Sequence, residues 1–342
     1  MLWRILFTAS LLIGRPAAAQ DVVRIGEGPF ISGGGFFVAE ARGYFKKMGL
    51  DVQVKKFNDG AFAVPGLVAG ELDLALMPAN ASLFNSIAKG APLVLVLDRG
   101  HNRPGFGYLT INVTQELYDQ GIRTMADLAK LKGKKVGVTR GAGGEPYIAG
   151  LLQQVGLTMD DVTLVNTAPS AMATALANKD ADVIASWEPW PSAALTKVPG
   201  SYKVIYGGCK SCYDAGTVVT TKQVIADKPK QLEQFILAYA QGQNWARNNR
   251  EEAAKISTRW IPGMDAETLT LALKSLPLDV RLSKNTIDGF KSYSIPLLVS
   301  QKRIPQAFDP APAVDNRFVA AAMKADPSAF ADLKEIPAAQ RL

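Results

Sequence analysis

The sequence predicts an α/β fold of two doubly wound lobes, joined by a hinge that the chain crosses twice, with a helical C-terminal tail on the first lobe. Short apolar runs alternate with amphipathic segments between residues 22 and 204, which is typical of βαβ units and parallel sheets. This alternation occurs twice along the chain. The pair Gly49 and Leu50 recurs as Gly156 and Leu157, at an offset of 107 residues (156 − 49). From residue 228 onward the apolar residues follow a helical period.

The first copy opens on a β-branched strand at residues 22–25, which runs into a glycine-rich turn. Residues 33–35 are all glycine and precede an amphipathic helix at 37–45, with Ser32 as the predicted N-cap. Accessible amides at a helix start favour an anion. A nucleotide is disfavoured, because Ile31 stands where the dinucleotide fingerprint needs glycine and no Gly-Lys-Ser/Thr occurs. This copy continues with strands at 51–57, 72–77 and 92–97 and helices at 61–69 and 81–89.

The second copy repeats this design. Its strand at residues 135–138 ends in another glycine-rich turn, residues 141–144, so the two turns are predicted to form the two jaws of one ligand site. Its other predicted elements are strands at 108–113 and 182–186 and a helix at 124–131. The tail is predicted to hold a strand at 217–221 and helices at 228–255, 266–276, 284–300 and 315–325.

Composition and the N-terminus indicate an exported protein. The chain has 342 residues and a formal net charge of +7 that is spread along its length, so it lacks the basic stripe of a nucleic-acid binder. Arg4, an apolar run at 5–13 and the small residues 17–19 predict a signal peptide at 1–19. No cysteine lies near the cleavage site, so we expect a periplasmic protein without a lipid anchor.

The two cysteines, Cys209 and Cys212, form a C-x-x-C pair. In an oxidising compartment we expect a local disulfide. Redox catalysis ranks lower because no strand–C-x-x-C–helix pattern surrounds the pair, and metal binding ranks lowest. His101 is the one histidine of the chain, which nearly excludes a Cys/His zinc site, so no metal or cofactor is predicted.

Several motifs in a fixed order carry a resemblance to a known family. They are the run from Gly33 to Val52 with its Gly-Tyr-Phe-Lys-Lys-Met-Gly-Leu ending, and residues 69–75, 127–138, 156–157 and 179–189. The chain resembles the type II periplasmic binding proteins of ABC importers, and within them the branch for sulfonates, nitrate, taurine and thiamine-pyrimidine precursors. The resemblance covers roughly residues 22–260.

The resemblance implies a monomeric binding protein, not an enzyme, that traps a small solute by closure of its lobes and delivers it to a membrane permease. The alternative is an enzyme on the same fold, similar to a pyrimidine-precursor synthase. The expected divisions are residues 20–102 for the first part of lobe 1, 103–204 for lobe 2, and 205–342 for the second part of lobe 1 with its C-terminal helices.

The resemblance also implies that the solute lies between the lobes, on loops at the carboxyl ends of strands. The residues expected there are Phe30, Ser32, Gly34, Gly35, Phe36, Asn58, Asp59, Asn80, Arg99, Arg140, Gly143, Gly144, Glu145, Ser170, Trp187 and Glu188.

Some of these side chains have more than one predicted role. Arg140 either clamps an anionic group or pairs with Glu145, and Trp187 either stacks on a planar solute or packs in the core. Sulfonate-binding relatives usually carry small hydroxyl residues in this turn, so Glu145 makes a sulfonate less expected. A zwitterion or an aminopyrimidine remains a candidate solute. Of Phe36 and Phe37 only one is expected to face the solute.

Arg99 has a competing role as well, because an ion pair with Asp98 or Asp73 is the alternative to a solute contact. His101 is expected at the hinge or on the surface.

Overall fold

Two five-stranded sheets organise the chain in the computed structural model, which describes residues 20–57, 60–101, 105–140, 142–204 and 215–342. The first sheet has the order β2-β1-β3-β10-β4 and the second has the order β7-β6-β8-β5-β9. The strands of the first sheet are β1 (Asp21–Glu27), β2 (Leu50–Lys56), β3 (Leu74–Pro78), β4 (Leu93–His101) and β10 (Ala215–Thr221). Those of the second are β5 (Leu109–Thr114), β6 (Lys135–Val138), β7 (Thr163–Asn166), β8 (Val183–Trp187) and β9 (Ser201–Val204).

The two sheets share one design, which confirms the prediction of two α/β lobes. In each sheet three parallel strands lie beside one antiparallel strand, β10 in the first and β5 in the second, and a fifth strand closes the edge. The sheets are therefore mixed, whereas the alternation of strands and helices predicts parallel ones. Each antiparallel strand is the one by which the chain enters from the other sheet, so it arrives from the opposite direction. The exact domain boundaries stay predictions.

Fifteen α-helices are present in the described ranges. They are α1 (Gly34–Ala41), α2 (Tyr44–Lys47), α3 (Val64–Val68), α4 (Ala81–Ala88), α5 (Gln115–Asp119), α6 (Gly144–Gln154), α7 (Met172–Ala177), α8 (Trp190–Lys197), α9 (Lys222–Asp227), α10 (Pro229–Asn248), α11 (Arg250–Ser257), α12 (Ala266–Lys274), α13 (Lys284–Gly289), α14 (Ile295–Ser300) and α15 (Arg317–Ala325). In that part of the chain, none of them has the length and apolar character needed to cross a membrane.

Several predicted helices differ from those observed. The one expected at 37–45 is divided into α1 and α2 by Gly43, whose φ is 68°. The single helix expected at 228–255 is two helices, because the backbone of Asn249 leaves the helical region at φ −137° and ψ 55°. The helix expected at 284–300 contains a π-helical turn at Phe290–Ser294 between α13 and α14. The segment Met125–Leu131 is a 3₁₀ helix, whose start is capped reciprocally by Thr124 and Asp127.

An aromatic cluster holds the tail on the first lobe. Phe36 of α1 lies 5.4 Å from Phe45 and 5.4 Å from Trp260, measured between ring centroids. Phe45 stacks on Phe235 of α10 at 5.0 Å, and Phe37 stacks on Trp260 at 4.8 Å. Rings packed at such distances contribute energy beyond the area they bury. The tail also reaches the second lobe, because α12 packs against α8.

Helices α1 and α10 cross very closely at two glycines. A Cβ added to Gly242 would lie 2.1 Å from the carbonyl oxygen of Gly35, and one added to Gly35 would lie 2.2 Å from Cγ of Gln243. Real Cβ atoms do not approach backbone oxygens this closely, so the two helices would have to move apart. The glycines of the first turn therefore serve the packing of the tail.

Gly242→Ala is accordingly expected to destabilise the protein by about 1–3 kcal/mol, the usual penalty for overpacking a core. Thermal melting followed by circular dichroism measures it. Glu233→Ala, an exposed position on the same helix, is the control and should change the free energy of unfolding by no more than about 0.5 kcal/mol. Equal melting temperatures for the two variants would contradict the close crossing.

Candidate functional site

A cavity of about 380 Å³ lies between the two lobes, where strands from both sheets end. Lobe 1 contributes Phe30, which follows β1, and residues 78–82, which join β3 to α4. Lobe 2 contributes residues that follow β6 and Trp187 at the end of β8. Ligands of open α/β sheets bind in this place, and the volume is that of a small-molecule site.

The wall from lobe 1 is fixed by a helix cap and by aromatic packing. The Leu83 N–H donates to Oδ1 of Asn80 at 3.2 Å, so Asn80 caps α4 and the first turn of the helix lies at the cavity. Phe30 is buried and its ring lies 5.8 Å from the guanidinium carbon of Arg99. Phe62 stands at the rim with 65 % of its surface exposed.

The wall from lobe 2 is built around the start of α6. Gly144 must be a glycine there, because a Cβ would lie 2.3 Å from the carbonyl oxygen of Ala185 in β8. This close approach brings Gly143 and Tyr147 to the cavity. Trp187 lines it from β8 and is 9 % exposed, so both predicted roles of this residue, core packing and cavity lining, occur together.

Arg140 lies at one end of the cavity. Its Nη1 donates to Oε1 of Glu145 at 2.9 Å, and its backbone N–H donates to Oδ1 of Asn166 at 3.2 Å. Of the two roles predicted for Arg140, the pair with Glu145 is therefore present in the structure. Arg140 also lines the cavity. Glu145 lines an adjoining outer recess that also contains Arg140 and Arg303. A half-exposed pair of this kind contributes little to stability.

The tail closes the cavity on a third side. The Tyr293 hydroxyl donates to the carbonyl oxygen of Pro146 in α6 at 2.8 Å, which links the tail to the second lobe across the cavity. Tyr293 and Ser294 belong to the π-helical turn, and Leu297 and Leu298 follow on α14. Turns of this kind occur frequently at functional sites.

The cavity contains some of the residues that the sequence predicts and leaves others out. Phe30, Asn80, Arg140, Gly143 and Trp187 line it. Asn58 and Asp59 lie outside the described residues, as do the predicted signal peptide and the cysteine pair. The predicted residues that do not line it are Ser32, Gly34, Gly35, Phe36, Arg99, Gly144, Glu145, Ser170 and Glu188.

The first glycine-rich turn packs against the tail, and its predicted role as a solute-binding jaw stays a prediction. Phe36 is fully buried in the aromatic cluster, and Gly34 and Gly35 lie beneath Leu273 and Gln243 of the tail. Ser32 is buried too and lies inside a 3₁₀ turn, so the N-cap of α1 is Gly33 and the prediction of Ser32 as N-cap is wrong. Helix α1 begins against the tail, and its residues are not among those that line the cavity.

Arg99 belongs to a buried polar cluster behind the cavity wall. Its Nη2 donates to Oγ of Ser32 at 2.8 Å, and its Nη1 lies 3.5 Å from Oε2 of Glu27. Neither expected ion-pair partner was correct, because Asp98 pairs with His101 at 2.6 Å and Asp73 pairs with Arg24. Burial raises the pKa of Glu27 to about 8, and the charge of Arg99 opposes that shift.

Two further predicted residues lie elsewhere. Glu188 is fully buried and its Oε1 accepts a bond of 2.5 Å from Nζ of Lys203. Ser170 lines a separate recess of about 310 Å³, between α7, α8 and residues 262–264. Both follow strand ends or loops of lobe 2, as the sequence predicts, but they point away from the interlobe cavity.

Several lining residues were missed by sequence reasoning. Phe62 comes two residues after the predicted turn at 58–60, and Tyr147 lies in the first turns of the helix that follows the second glycine-rich turn. Their positions in the sequence could therefore have indicated that both line the cavity. Tyr108 had a weaker indication, as the first residue of a predicted strand. Tyr293 and Arg303 had none, because the tail reaches the cavity through a long-range contact. Among the described residues, no group of three or more His, Cys, Asp or Glu side chains could hold a metal ion.

Comparison with known proteins gives a consistent result. Residues 32–253 match the family model described as NMT1/THI5 like. A putative aliphatic sulfonates-binding protein of Bacillus subtilis is 26% identical over 292 residues, which cover 84% of this chain and 84% of that protein.

Solved structures extend the comparison. The periplasmic aliphatic sulphonate binding protein SsuA of Escherichia coli superposes with a TM-score of 0.72 at 18% identity, covering 86% of this chain and 92% of SsuA. The desulfurization enzyme DSZB superposes with a TM-score of 0.62 at 14% identity, covering 90% and 99%. At these identities the likeness is one of fold.

Proposed function

The chain belongs to the NMT1/THI5-like family, and from this premise we propose that it is the solute-binding component of an ABC importer. It captures a small anionic or zwitterionic organic solute between its lobes, within the range of sulfonates, nitrate, aromatic carboxylates and pyrimidine precursors. The observation that carries the proposal is the interlobe cavity, which strand ends of both sheets and the tail enclose together. Closure of two lobes around a solute is a common way to trap it.

The cavity favours a negative charge at one end. Helix α4 of lobe 1 and helix α6 of lobe 2 both begin at the cavity, so two positive helix ends meet there. Arg140 and Arg303 are the charged side chains among its described lining residues, and both are cations. An anionic group in the cavity therefore has favourable electrostatics from the two helix starts and the two cations.

The remaining features of the proposal are those expected of the binding component of an importer. The chain acts as a monomer in a periplasm, after removal of residues 1–19, and docks transiently on an inner-membrane permease. Export is supported by the apolar, small-residue pattern of the N-terminus.

The alternative function is an enzyme on the same fold, since the desulfurization enzyme DSZB shares this architecture. The described lining of the cavity contains no carboxylate, histidine or cysteine, the groups that most often supply a base or nucleophile. This lining supports binding without turnover. Chemical conversion of a bound solute, followed by mass spectrometry of the solution, would overturn the proposal.

A thermal-shift screen with sulfonates, nitrate, aromatic carboxylates and aminopyrimidines tests the proposal directly. A solute that binds the folded state stabilises it by RT ln(1 + [L]/Kd), about 2.7 kcal/mol at 100 times Kd. No stabilisation by any of these solutes would speak against a binding protein of this class.

Tyr293→Phe is expected to weaken binding of the best solute by about 2- to 10-fold, because it removes the hydrogen bond that links the tail to α6 across the cavity. Isothermal titration calorimetry measures the affinity. Tyr202→Phe is the matched control, since it removes a hydrogen bond to Gln115 on the far side of lobe 2 and should leave the affinity unchanged. Equal affinities for both variants would show that the Tyr293 contact plays no part in closure.

A further inference from the structure

Six aromatic side chains are among the residues that line the interlobe cavity. Four of them are buried and held by their surroundings: Phe30 is 5 % exposed, Tyr108 2 %, Tyr147 2 % and Trp187 9 %. Tyr293 is fixed by its bond to Pro146. Rings that are held in place before binding lose little freedom when a solute stacks on them. The walls are therefore preorganised for a flat apolar body.

The two charged residues of the described cavity lining lie on one side of it. Arg140 and Arg303 line both the cavity and the adjoining outer recess, where Arg140 also pairs with Glu145, so these two residues mark the side that opens toward that recess. A solute with one anionic group would place that group there and its rings against the aromatic walls. A guanidinium matches the planar geometry of a carboxylate or sulfonate better than an ammonium does.

The size of the cavity excludes a good fit for the smallest anions. About 150 Å³ of apolar cavity is enough for benzene, and this cavity measures about 380 Å³. Nitrate or methanesulfonate would leave most of this volume unfilled. A compound with one or two aromatic rings would fill more of it and would contact the ring edges that reach the cavity.

Phe62 adds an independent observation. It is a large apolar side chain with 65 % of its surface exposed, and it stands at the rim of the cavity. A single exposed phenylalanine needs no explanation, but this one adjoins the aromatic walls and would be covered by a solute that extends past the first ring.

From these observations, and resting on the proposed function, we infer that the solute is an aromatic carboxylate or sulfonate with one or two rings, bound with its rings on the aromatic walls and its anionic group toward Arg140 and Arg303. Stacking on the walls then sets the specificity, and the anionic group sets the orientation.

Calorimetric titration with matched probes tests the inference. The aromatic probes are benzoate and naphthalene-2-sulfonate, and their counterparts are cyclohexanecarboxylate, hexane-1-sulfonate and nitrate. We expect at least one aromatic probe to bind tenfold or more tightly than its non-aromatic counterpart of equal charge. Binding of the non-aromatic probes as tightly as the aromatic ones would overturn the inference and leave the proposed function standing. If none of the five probes binds, the inference is overturned too, and the proposed function fails only if the wider solute screen finds nothing.

Phe62→Ala provides the second arm. It should weaken naphthalene-2-sulfonate about three- to tenfold and leave the melting temperature of the free protein unchanged, because the side chain is exposed. Val68→Ala removes an exposed apolar side chain from α3 of the same lobe, away from the cavity lining, and should alter neither quantity. Unchanged naphthalene-2-sulfonate affinity in Phe62→Ala would overturn the place of Phe62 in the site.

Discussion

Lys203→Met is expected to destabilise the protein by about 3–5 kcal/mol, because it leaves a buried carboxylate without its counter-ion. Glu188 is fully buried, and its Oε1 accepts a 2.5 Å bond from Nζ of Lys203. The same Nζ donates to Oγ of Ser192 at 3.0 Å and to Oγ of Ser275 at 2.9 Å. Ser275 follows α12 of the tail, so this lysine also ties lobe 2 to the tail near the hinge.

The urea midpoint and the melting temperature measure this effect. Lys179→Met is the matched control, since Lys179 pairs with Glu116 at 3.3 Å in an exposed ion pair and its loss should cost less than about 1 kcal/mol. The double variant Lys203→Met with Glu188→Gln should regain part of the loss, because no unpaired charge remains. Equal effects of Lys203→Met and Lys179→Met would show that the burial of Glu188 does not matter to stability.

The order of the elements could be predicted because it depends on local signals. The runs at residues 22–25 and 135–138 are rich in β-branched residues and are followed by glycine-rich turns, and the repeat of about 107 residues indicates two copies of one design. In the structure, β3 starts at Leu74 and β8 starts at Val183, an offset of 109 residues (183 − 74). The direction of β5 and β10 could not be predicted, because it depends on how the chain passes between the lobes and no local pattern records that.

The candidate site was predicted only in part, for a physical reason. Phe30, Asn80 and Trp187 follow strand ends, and the topology of an open sheet places such residues at the cavity. Gly34 and Gly35 also follow a strand end, yet the tail covers them. Glycine is required both where a ligand approaches the backbone and where another helix does, and the sequence alone does not distinguish the two. Tyr293 reaches the cavity from 147 residues beyond its partner Pro146.

The burial of Glu27 leads to the last expected result, a fall in stability as the pH rises. Burial raises the pKa of Glu27 from 4.5 to about 8 in the folded protein, while the unfolded chain releases this proton near the ordinary value. Between those two pH values the folded state binds more protons than the unfolded state, so the free energy of unfolding decreases with increasing pH. The decrease should be on the order of a few kcal/mol and should end above about pH 8.

Glu27→Gln separates this group from all others that titrate. The variant keeps the shape of the side chain but carries no ionisable group, so its melting temperature should vary less between pH 5 and pH 9 than that of the wild type. Glu233→Gln, at an exposed position on α10, should follow the wild-type profile. Arg99→Met removes the charge that opposes the shift, so the decrease should extend to higher pH. Parallel profiles for the wild type and Glu27→Gln would mean that Glu27 is ionised throughout and that its pair with Arg99 outweighs the penalty of burial. Glu27 and Arg99 would then form a charged pair across this whole pH range. That pair would lie directly behind the cavity wall, because Arg99 contacts both Ser32 and the ring of Phe30.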